Sequence, residues 1–322
     1  MKRKILISYQ IPREGLIDLS NKFDVKYPDK TMFTRKELLT HIPDYDGLIS
    51  VFGEKVYNEI LDKGDKLKII SNFGAGYDNI DINFATKKKI VVTNTPDVVT
   101  EPAAEIAFGL MLSLMRKISE CNNKLRSEKD FQWGIMKNLG RTLNGKTLGI
   151  IGMGKIGRAV THKAVAFGMK IIYYDLNPLS PELEKNLSVV YFSLTDLLKN
   201  SDVISIHTPL TDQTFHLLGK KEFEMMKPTA YLINTARGPV IDENILVEFL
   251  KTKKIAGAGL DVFENEPTIS KDLLAMGQVV LTPHIGTGTI ETRIEMAKAA
   301  SRNIIDFFEG KIPKYVVNKE VL

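Results

Sequence analysis

Three side chains late in the chain supply the parts of a proton-coupled reduction of a carbonyl group. Arg237 stands in Asn234-Thr235-Ala236-Arg237-Gly238, Glu266 in Asp261-Val262-Phe263-Glu264-Asn265-Glu266-Pro267, and His284 in Leu281-Thr282-Pro283-His284-Ile285-Gly286. An imidazole can hand a proton to a carbonyl oxygen, a guanidinium can hold the carboxylate of a small acid, and a carboxylate beside the imidazole favours its charged form. Each residue also has a plain alternative: Arg237 in a structural ion pair, Glu266 as a loop acid, His284 as one of five histidines that happens to follow a strand. All three required roles are filled at or just past strand ends, which favours the chemical reading.

A hydride source is implied by the segment Gly152-Met153-Gly154-Lys155-Ile156-Gly157, a G-x-G-x-x-G placed between an apolar strand and a helix. Gly152 permits a tight turn, Gly154 lets the backbone approach a pyrophosphate, and Gly157 lets the helix lie against the strand. Taken bare, the motif often marks only a tight turn. Here the helix ends at Gly168, a strand follows at 170–174, and Asp175 closes it 21 residues beyond Gly154, near the roughly 20 expected of the acid that bonds the adenosine ribose. That carboxylate predicts NAD rather than NADP, because a 2′-phosphate would meet a like charge and Leu176-Asn177-Pro178 offers no arginine to receive one. His41, His162, His207 and His216 are read as structural, His207 also lining the cofactor cleft. No Cys/His/Asp cluster has metal-ligand spacing, so no metal is expected.

The elements that must position these groups are βα units. Apolar strands near 5–7, 47–49, 68–70 and 90–92 alternate with helical stretches such as 35–39 and 55–61, which reads as a parallel sheet in a flavodoxin-like α/β substrate domain. A loop at Thr95-Pro96 is the expected hinge, and a long helix follows from Thr100 to about Lys124. A second series predicts six strands, at 147–151, 170–174, 203–206, 230–234, 257–261 and 279–281, in a doubly wound Rossmann cofactor domain. An amphipathic helix at 289–308, with Ile290, Ile294, Ala297, Ile304 and Phe308 on one face, is expected to return to the first domain. The division is therefore 1–96 with 288–322 for the substrate domain, and 97–287 for the NAD-binding domain.

Composition excludes several other classes. The 44 basic residues stand against 39 acidic ones and are scattered, which argues against nucleic-acid binding. The basic start Met1-Lys2-Arg3-Lys4 is followed by Ser8, Tyr9, Gln10 and Pro12, a first strand rather than a targeting segment. No stretch is long enough to span a bilayer, and the single Cys121 excludes an internal disulfide framework, so a cytoplasmic protein is expected.

Over essentially its whole length the chain resembles the D-isomer-specific 2-hydroxyacid dehydrogenase family. The matching blocks are Asn72-Phe73-Gly74-Ala75-Gly76-Tyr77-Asp78-Asn79-Ile80-Asp81, the glycine fingerprint, Ser205-Ile206-His207-Thr208-Pro209-Leu210-Thr211, and the three segments that carry Arg237, Glu266 and His284. The resemblance implies that Arg237 binds and polarises the substrate, that His284 is the acid/base, and that Glu266 hydrogen-bonds the imidazole. It makes the backbone N–H groups of Ala75 and Gly76 the cradle for the substrate carboxylate. It implicates Lys155, Ile156, Thr208, Pro209, Thr235 and Asp261 in holding NAD, and Thr100, His207, Ala236 and Gly286 join the expected cofactor site. The expected partners are a small 2-oxo or 2-hydroxy acid and a second copy of the chain. That homodimer is expected to form around the helix from Thr100, which is apolar nearly all round, with Phe131-Gln132-Trp133-Gly134.

Within the family, Glu266 stands where formate dehydrogenases carry Gln, and with Leu322 as the last residue, a C-terminal regulatory domain like that of many phosphoglycerate dehydrogenases is not expected. Ile285-Gly286-Thr287-Gly288-Thr289 lacks the aromatic typical of D-lactate dehydrogenases and resembles the glyoxylate/hydroxypyruvate reductase branch, with Gly288 departing from the common alanine. Phe52 in the loop Ser50-Val51-Phe52-Gly53 is the expected substrate-facing side chain and suits either a small acid or a larger apolar one. Two other classes of function stay open at this stage: an NAD(H)-sensing binding module of the same fold with little turnover, and an NAD-binding structural protein.

Overall fold

The computed structural model describes residues 2–51, 53, 55–127 and 131–322. Two compact units result, Met1–Val99 with Thr287–Leu322, and Thr100–Gly286. The sequence reading had placed these changes at 96–97 and 287–288.

In the first unit β1 (Lys4–Ile7), β2 (Asp24–Lys26), β3 (Gly47–Val51), β4 (Ile69–Phe73) and β5 (Val91–Thr93) form a parallel sheet in the order β2-β1-β3-β4-β5. The chain steps from β1 to one edge, then returns to build the other side, which is the flavodoxin-like order. Strand residues alternate between two cores. Ile5, Ile7, Ile49, Ile69 and Val91 enter one, while Leu6, Leu48, Ile70 and Val92 enter the other, so β3 and β4 are buried throughout and read as continuous apolar runs. The helix Ile290–Phe308 covers the first of these faces with Met296, Ala297, Ala300, Ile304 and Ile305, and Thr289 caps it by accepting from the Thr292 amide. Its buried stripe differs from the one expected, since Ile290 is 77% exposed at the first turn. Only where the helix meets the sheet does an apolar position become a core position.

In the second unit β6 (Thr147–Ile151), β7 (Lys170–Tyr174), β8 (Val189–Tyr191), β9 (Val203–Ile206), β10 (Tyr231–Asn234), β11 (Gly257–Leu260) and β12 (Val279–Leu281) form a parallel sheet in the order β12-β11-β10-β9-β6-β7-β8. This is the doubly wound arrangement, with its switch point between β6 and β9. Seven strands stand where six were expected. The additional β8, like β2 in the first sheet, is a three-residue edge, too short to show a period of its own.

The helix expected from Thr100 to about Lys124 is two helices, Thr100–Met115 and Ile118–Ser127. Lys117 at φ 56° breaks it, and the Ser113 and Ser119 hydroxyls, 2.7 Å apart, pin the corner. The first helix does not carry a surplus apolar face. Ala104, Ala107, Phe108, Leu110, Met111, Leu114 and Met115 all pack into the core of their own unit, because a helix lying on a sheet and beside a second helix is covered on more than one side. The exposed apolar residues lie instead in the following loop, where Trp133 is 84% and Ile135 93% exposed. Among the described residues, no helix is long and apolar enough to cross a membrane.

Candidate active site

The glycine-rich turn sits at the switch point of the second sheet. Gly152 has φ 95°, and its amide donates to Tyr174 O at 2.8 Å; a Cβ there would lie 2.7 Å from the His207 backbone. Gly157 leaves no room either, since a Cβ would meet Gly152 O at 2.2 Å, whereas around Gly154 there is open space. Gly154 has no side chain to cap the helix Lys155–Ala166 that it starts, so the turn can receive a pyrophosphate on backbone N–H groups. Lys155 is exposed on this first turn, and Ile156 packs against the core beneath it.

Asp175, half-buried just past β7, accepts from Met153 N at 2.8 Å and from Asn177 N at 2.9 Å. Its carboxylate is thereby fixed beside the glycine turn, where a ribose can reach its remaining lone pairs. On the opposite side of the switch point follow His207, Thr208 and Pro209. His207 Nε2 and Ser205 Oγ share a 2.8 Å hydrogen bond, and burial pushes the His207 imidazole down to about 4, so the ring is neutral at physiological pH. Past β10, Thr235 Oγ1 is buried and has no hydrogen-bond partner among the described residues. An orphaned hydroxyl past the end of β10, at the same end of the sheet as the glycine turn, fits a bound polar group such as a dinucleotide.

The three chemical side chains follow β10, β11 and β12. Asn234, fully buried, accepts from Ala236 N at 3.0 Å and donates to Arg237 O at 2.9 Å, so the side chain ending β10 shapes the turn that presents Arg237. Asp261, 1% exposed just past β11, accepts from Thr282 Oγ1 at 2.7 Å and from the amides of Ile285 and Gly286, each at 2.8 Å, while its own carbonyl accepts from His284 N at 2.8 Å. This ties the end of β11 to the turn after β12 and holds His284 at φ 52°. Burial pushes the Asp261 carboxyl up, and its four hydrogen-bonded and charged neighbours offset only part of that.

Glu266 Oε1 accepts from Phe263 N at 3.0 Å, and Oε2 lies 2.8 Å from His284 Nδ1. Burial alone would raise the Glu266 carboxyl, but the His284 hydrogen bond and charge, the Phe263 amide and the Arg237 charge together hold it below its ordinary value. A carboxylate accepts only, so Nδ1 is the donor in this pair. The arrangement is an imidazole held in orientation by a carboxylate partner.

In the first unit the loop after β4 is braced by side-chain amides. Thr95 N donates to Gly74 O at 2.9 Å, Asn94 Nδ2 to Ala75 O at 2.7 Å, and Asn72 Nδ2 to Gly76 O at 2.6 Å. Peptide groups are planar and trans, so fixing the carbonyls of Gly74 and Ala75 aims the amides of Ala75 and Gly76 the opposite way. Asn72 is itself held by Ser50 Oγ at 2.8 Å and Asn79 Nδ2 at 3.1 Å. Asn72, Asn94 and Asn234 were not singled out from sequence, although Asn72 and Asn234 lie inside the motif blocks; a side chain that serves a neighbouring backbone has no spacing signature. Phe52 lies outside the described residues. Thr100 is the first residue of its helix, and a Cβ on Gly286 would lie 4.0 Å from Ala103 in the next turn of that helix.

A parallel doubly wound sheet with a glycine fingerprint at its switch point, and an imidazole–carboxylate pair at its strand ends, defines a nicotinamide-type dehydrogenase. Residues 108–286 match the family described as D-isomer specific 2-hydroxyacid dehydrogenase, NAD binding domain. Glyoxylate reductase of Thermococcus litoralis is 45% identical, over 100% of this chain and 98% of the relative. Among solved structures, an NADPH-dependent glyoxylate/hydroxypyruvate reductase from Sinorhizobium meliloti, in complex with NADP and malonate, superposes with a TM-score of 0.86 at 31% identity, covering 98% of this chain and 97% of that one. D-lactate dehydrogenase from Aquifex aeolicus, complexed with NAD and lactic acid, gives 0.84 at 29% identity over 98% and 99%. The chain belongs to the D-isomer-specific 2-hydroxyacid dehydrogenase family and is an oxidoreductase with a nicotinamide cofactor.

Replacing Asp261 by Asn puts an NH₂ where one carboxylate oxygen now meets backbone N–H or Thr282 hydroxyl donors. The Asp261→Asn protein should lose about 1–3 kcal/mol, the usual effect of leaving a buried hydrogen-bonding group unpaired. Urea unfolding measures this, and an unchanged midpoint would mean that the turn does not depend on the carboxylate.

Proposed function

We propose that this enzyme reduces the C2 carbonyl of a small 2-oxo acid with NADH, in the manner of a glyoxylate/hydroxypyruvate reductase, and that it acts on D-configured 2-hydroxy acids in the reverse direction. The observation that carries the reading is the 2.8 Å pairing of His284 Nδ1 with Glu266 Oε2 at the ends of neighbouring strands. The nicotinamide supplies the hydride when bound. His284 Nε2 gives its proton to the substrate oxygen as negative charge develops there, Glu266 stabilises the imidazolium beforehand, and Arg237 polarises the substrate. The amides of Ala75 and Gly76 receive the substrate carboxylate, and Phe52 is the proposed substrate-facing side chain. Gly152, Gly154, Lys155, Ile156 and Gly157, with Thr100, His207, Thr208, Pro209, Thr235, Ala236, Asp261 and Gly286, hold the cofactor. A panel of glyoxylate, hydroxypyruvate, pyruvate, 2-oxoisocaproate and phenylpyruvate with NADH and NADPH tests the substrate class. Highest efficiency with the two larger acids would overturn the small-acid assignment.

The remaining assignments have separate supports. NAD is proposed over NADP because Asp175 fixes a negative charge where a 2′-phosphate would have to sit. A homodimer is proposed from the exposed run that includes Trp133, Ile135 and Met136, the last 80% exposed, because adjoining apolar side chains of this size usually mark an interface. A cytoplasmic setting agrees with one cysteine in 322 residues.

His284→Ala should bind NADH normally and lose about 10²–10⁴-fold in turnover, the usual contribution of a general acid. Steady-state rates with NADH fluorescence titration check this, and near-normal turnover would remove His284 from the role. Glu266→Gln removes the carboxylate that the His284 contact holds ionised, so the alkaline limb of reduction and the acidic limb of oxidation should both move to lower pH. Wild-type enzyme should prefer NADH, and Asp175→Ser should relax that preference; equal kcat/KM for NADH and NADPH in the wild type would contradict the assignment. Sedimentation should report about twice the 36.1 kDa chain mass. A stable monomer would dismiss the dimer.

A further inference from the structure

Glu264 lies two residues before Glu266, and its carboxylate goes to a different set of partners. Its Oε2 accepts from Glu243 N at 3.1 Å, while Glu243 Oε2 accepts from Glu264 N at 3.0 Å, a reciprocal exchange between the loop after β11 and the start of the helix Glu243–Lys251. Its Oε1 lies 2.8 Å from His216 Nε2, and the His216 ring is stacked on Phe215 with centroids 4.0 Å apart. On another side the loop is pressed against the Arg237 turn, where a Cβ on Gly238 would fall 1.9 Å from the Phe263 carbonyl carbon. Glu266 is tied to the residue next to Glu264, because Phe263 N is the donor that holds Glu266 Oε1.

We propose that Glu264, clamped by Glu243 and His216, is a positioning residue for proton transfer, which fixes the loop from which Glu266 reaches His284. The inference rests on the assignment of His284 as proton donor. The geometry leaves little slack. The His284–Glu266 bond is 2.8 Å long, hydrogen bonds weaken steeply beyond about 3.2 Å, and a misplacement of about 1 Å can lower a rate by about 100-fold. The arrangement also works against a charge penalty. Burial pushes the Glu243 carboxyl up, the Glu264 amide opposes this, and the Glu264 charge adds to it, so two carboxylates are kept together against backbone N–H groups and His216. The charged groups around Glu264 are Glu243 and His216, with Asp242 3.9 Å from His216 Nδ1; those around the Glu266–His284 pair are Arg237 and Asp261.

Full-length Glu264→Ala, Glu264→Gln and Glu266→Gln enzymes, assayed with glyoxylate and NADH across pH, separate position from charge. Gln keeps an acceptor for Glu243 N and a polar group for His216 but removes the negative charge. Glu264→Ala should lower kcat by up to about 100-fold and move the alkaline limb of reduction to lower pH. Glu264→Gln should restore both to near wild type, and the NADH dissociation constant should be unchanged in all three. A folded Glu264→Ala enzyme with the wild-type limb and kcat overturns the inference, as does a Glu264→Gln limb displaced as far as that of Glu264→Ala, which would indicate a field effect. If Glu264→Ala does not fold, Glu243→Ala, which removes one of the two reciprocal bonds, is read in the same way. Glu266→Gln with an unmoved limb would overturn the His284 assignment itself; a moved limb there beside an unmoved Glu264→Ala limb overturns this inference alone.

Discussion

The presentation of His284 depends on one buried carboxylate. A left-handed backbone at a residue with a Cβ costs about 1–2 kcal/mol, and His284 has φ 52°. Asp261 offsets that with three donors gathered from a single turn, the Thr282 hydroxyl and the amides of Ile285 and Gly286. Hydrogen bonds to a charged group contribute about 1.5–3 kcal/mol each, so even after the burial penalty that raises the Asp261 carboxyl the turn has a net hold. The angle at which Nδ1 meets Glu266 follows from this turn, and with it the direction of the remaining ring nitrogen.

Sheet topology decides where such turns can be built. In the second unit the chain leaves β6 for β7 and β8, then crosses back to β9 and on to β12, which opens a crevice past the carboxyl ends of β6 and β9. Gly152 and His207 are the first residues past those ends, and their backbones are in close contact. In the first unit the same kind of reversal occurs between β1 and β3. There the peptide planes of the loop after β4 are set by Asn94 and Thr95, which follow β5. Both units therefore use buried parallel strands as rigid supports for loops that side chains and backbone amides hold in place.

Electrostatics at these loops is a matter of individual oxygens. Asp175 and Glu266 each spend part of their capacity on a backbone amide, Met153 N for the first and Phe263 N for the second. That anchoring removes rotamer freedom before any ligand arrives, so less conformational entropy is lost on binding. The fold alone does not choose between phosphorylated and unphosphorylated dinucleotides.

Local and periodic features were legible in the sequence. Strands of the second unit stand close to where apolar runs and turn residues placed them, because a buried parallel strand needs a continuous apolar run whatever surrounds it. The glycine fingerprint and Asp175 were legible because a strand–turn–helix unit fixes their separation through the chain itself. Arg237, Glu266 and His284 could be named as residue types at strand ends. Their pairing was expected only from the family resemblance and has no spacing signature, since 18 residues separate Glu266 from His284 and the adjacency of β11 and β12 closes that distance. Nothing in the sequence announced Asp261 with the 282–286 turn, Asn94 with Ala75, or the Glu243–Glu264 exchange, each a hydrogen bond between segments brought together by sheet order. Three-residue edges such as β2 and β8 carried no period, and the break at Lys117 carried no glycine or proline to announce it. Which apolar residues are buried was likewise settled by packing: the Thr100–Met115 helix, apolar nearly all round, is covered within its own unit, while Trp133 and Ile135 stay exposed, because burial depends on what lies opposite a side chain and not on the side chain alone.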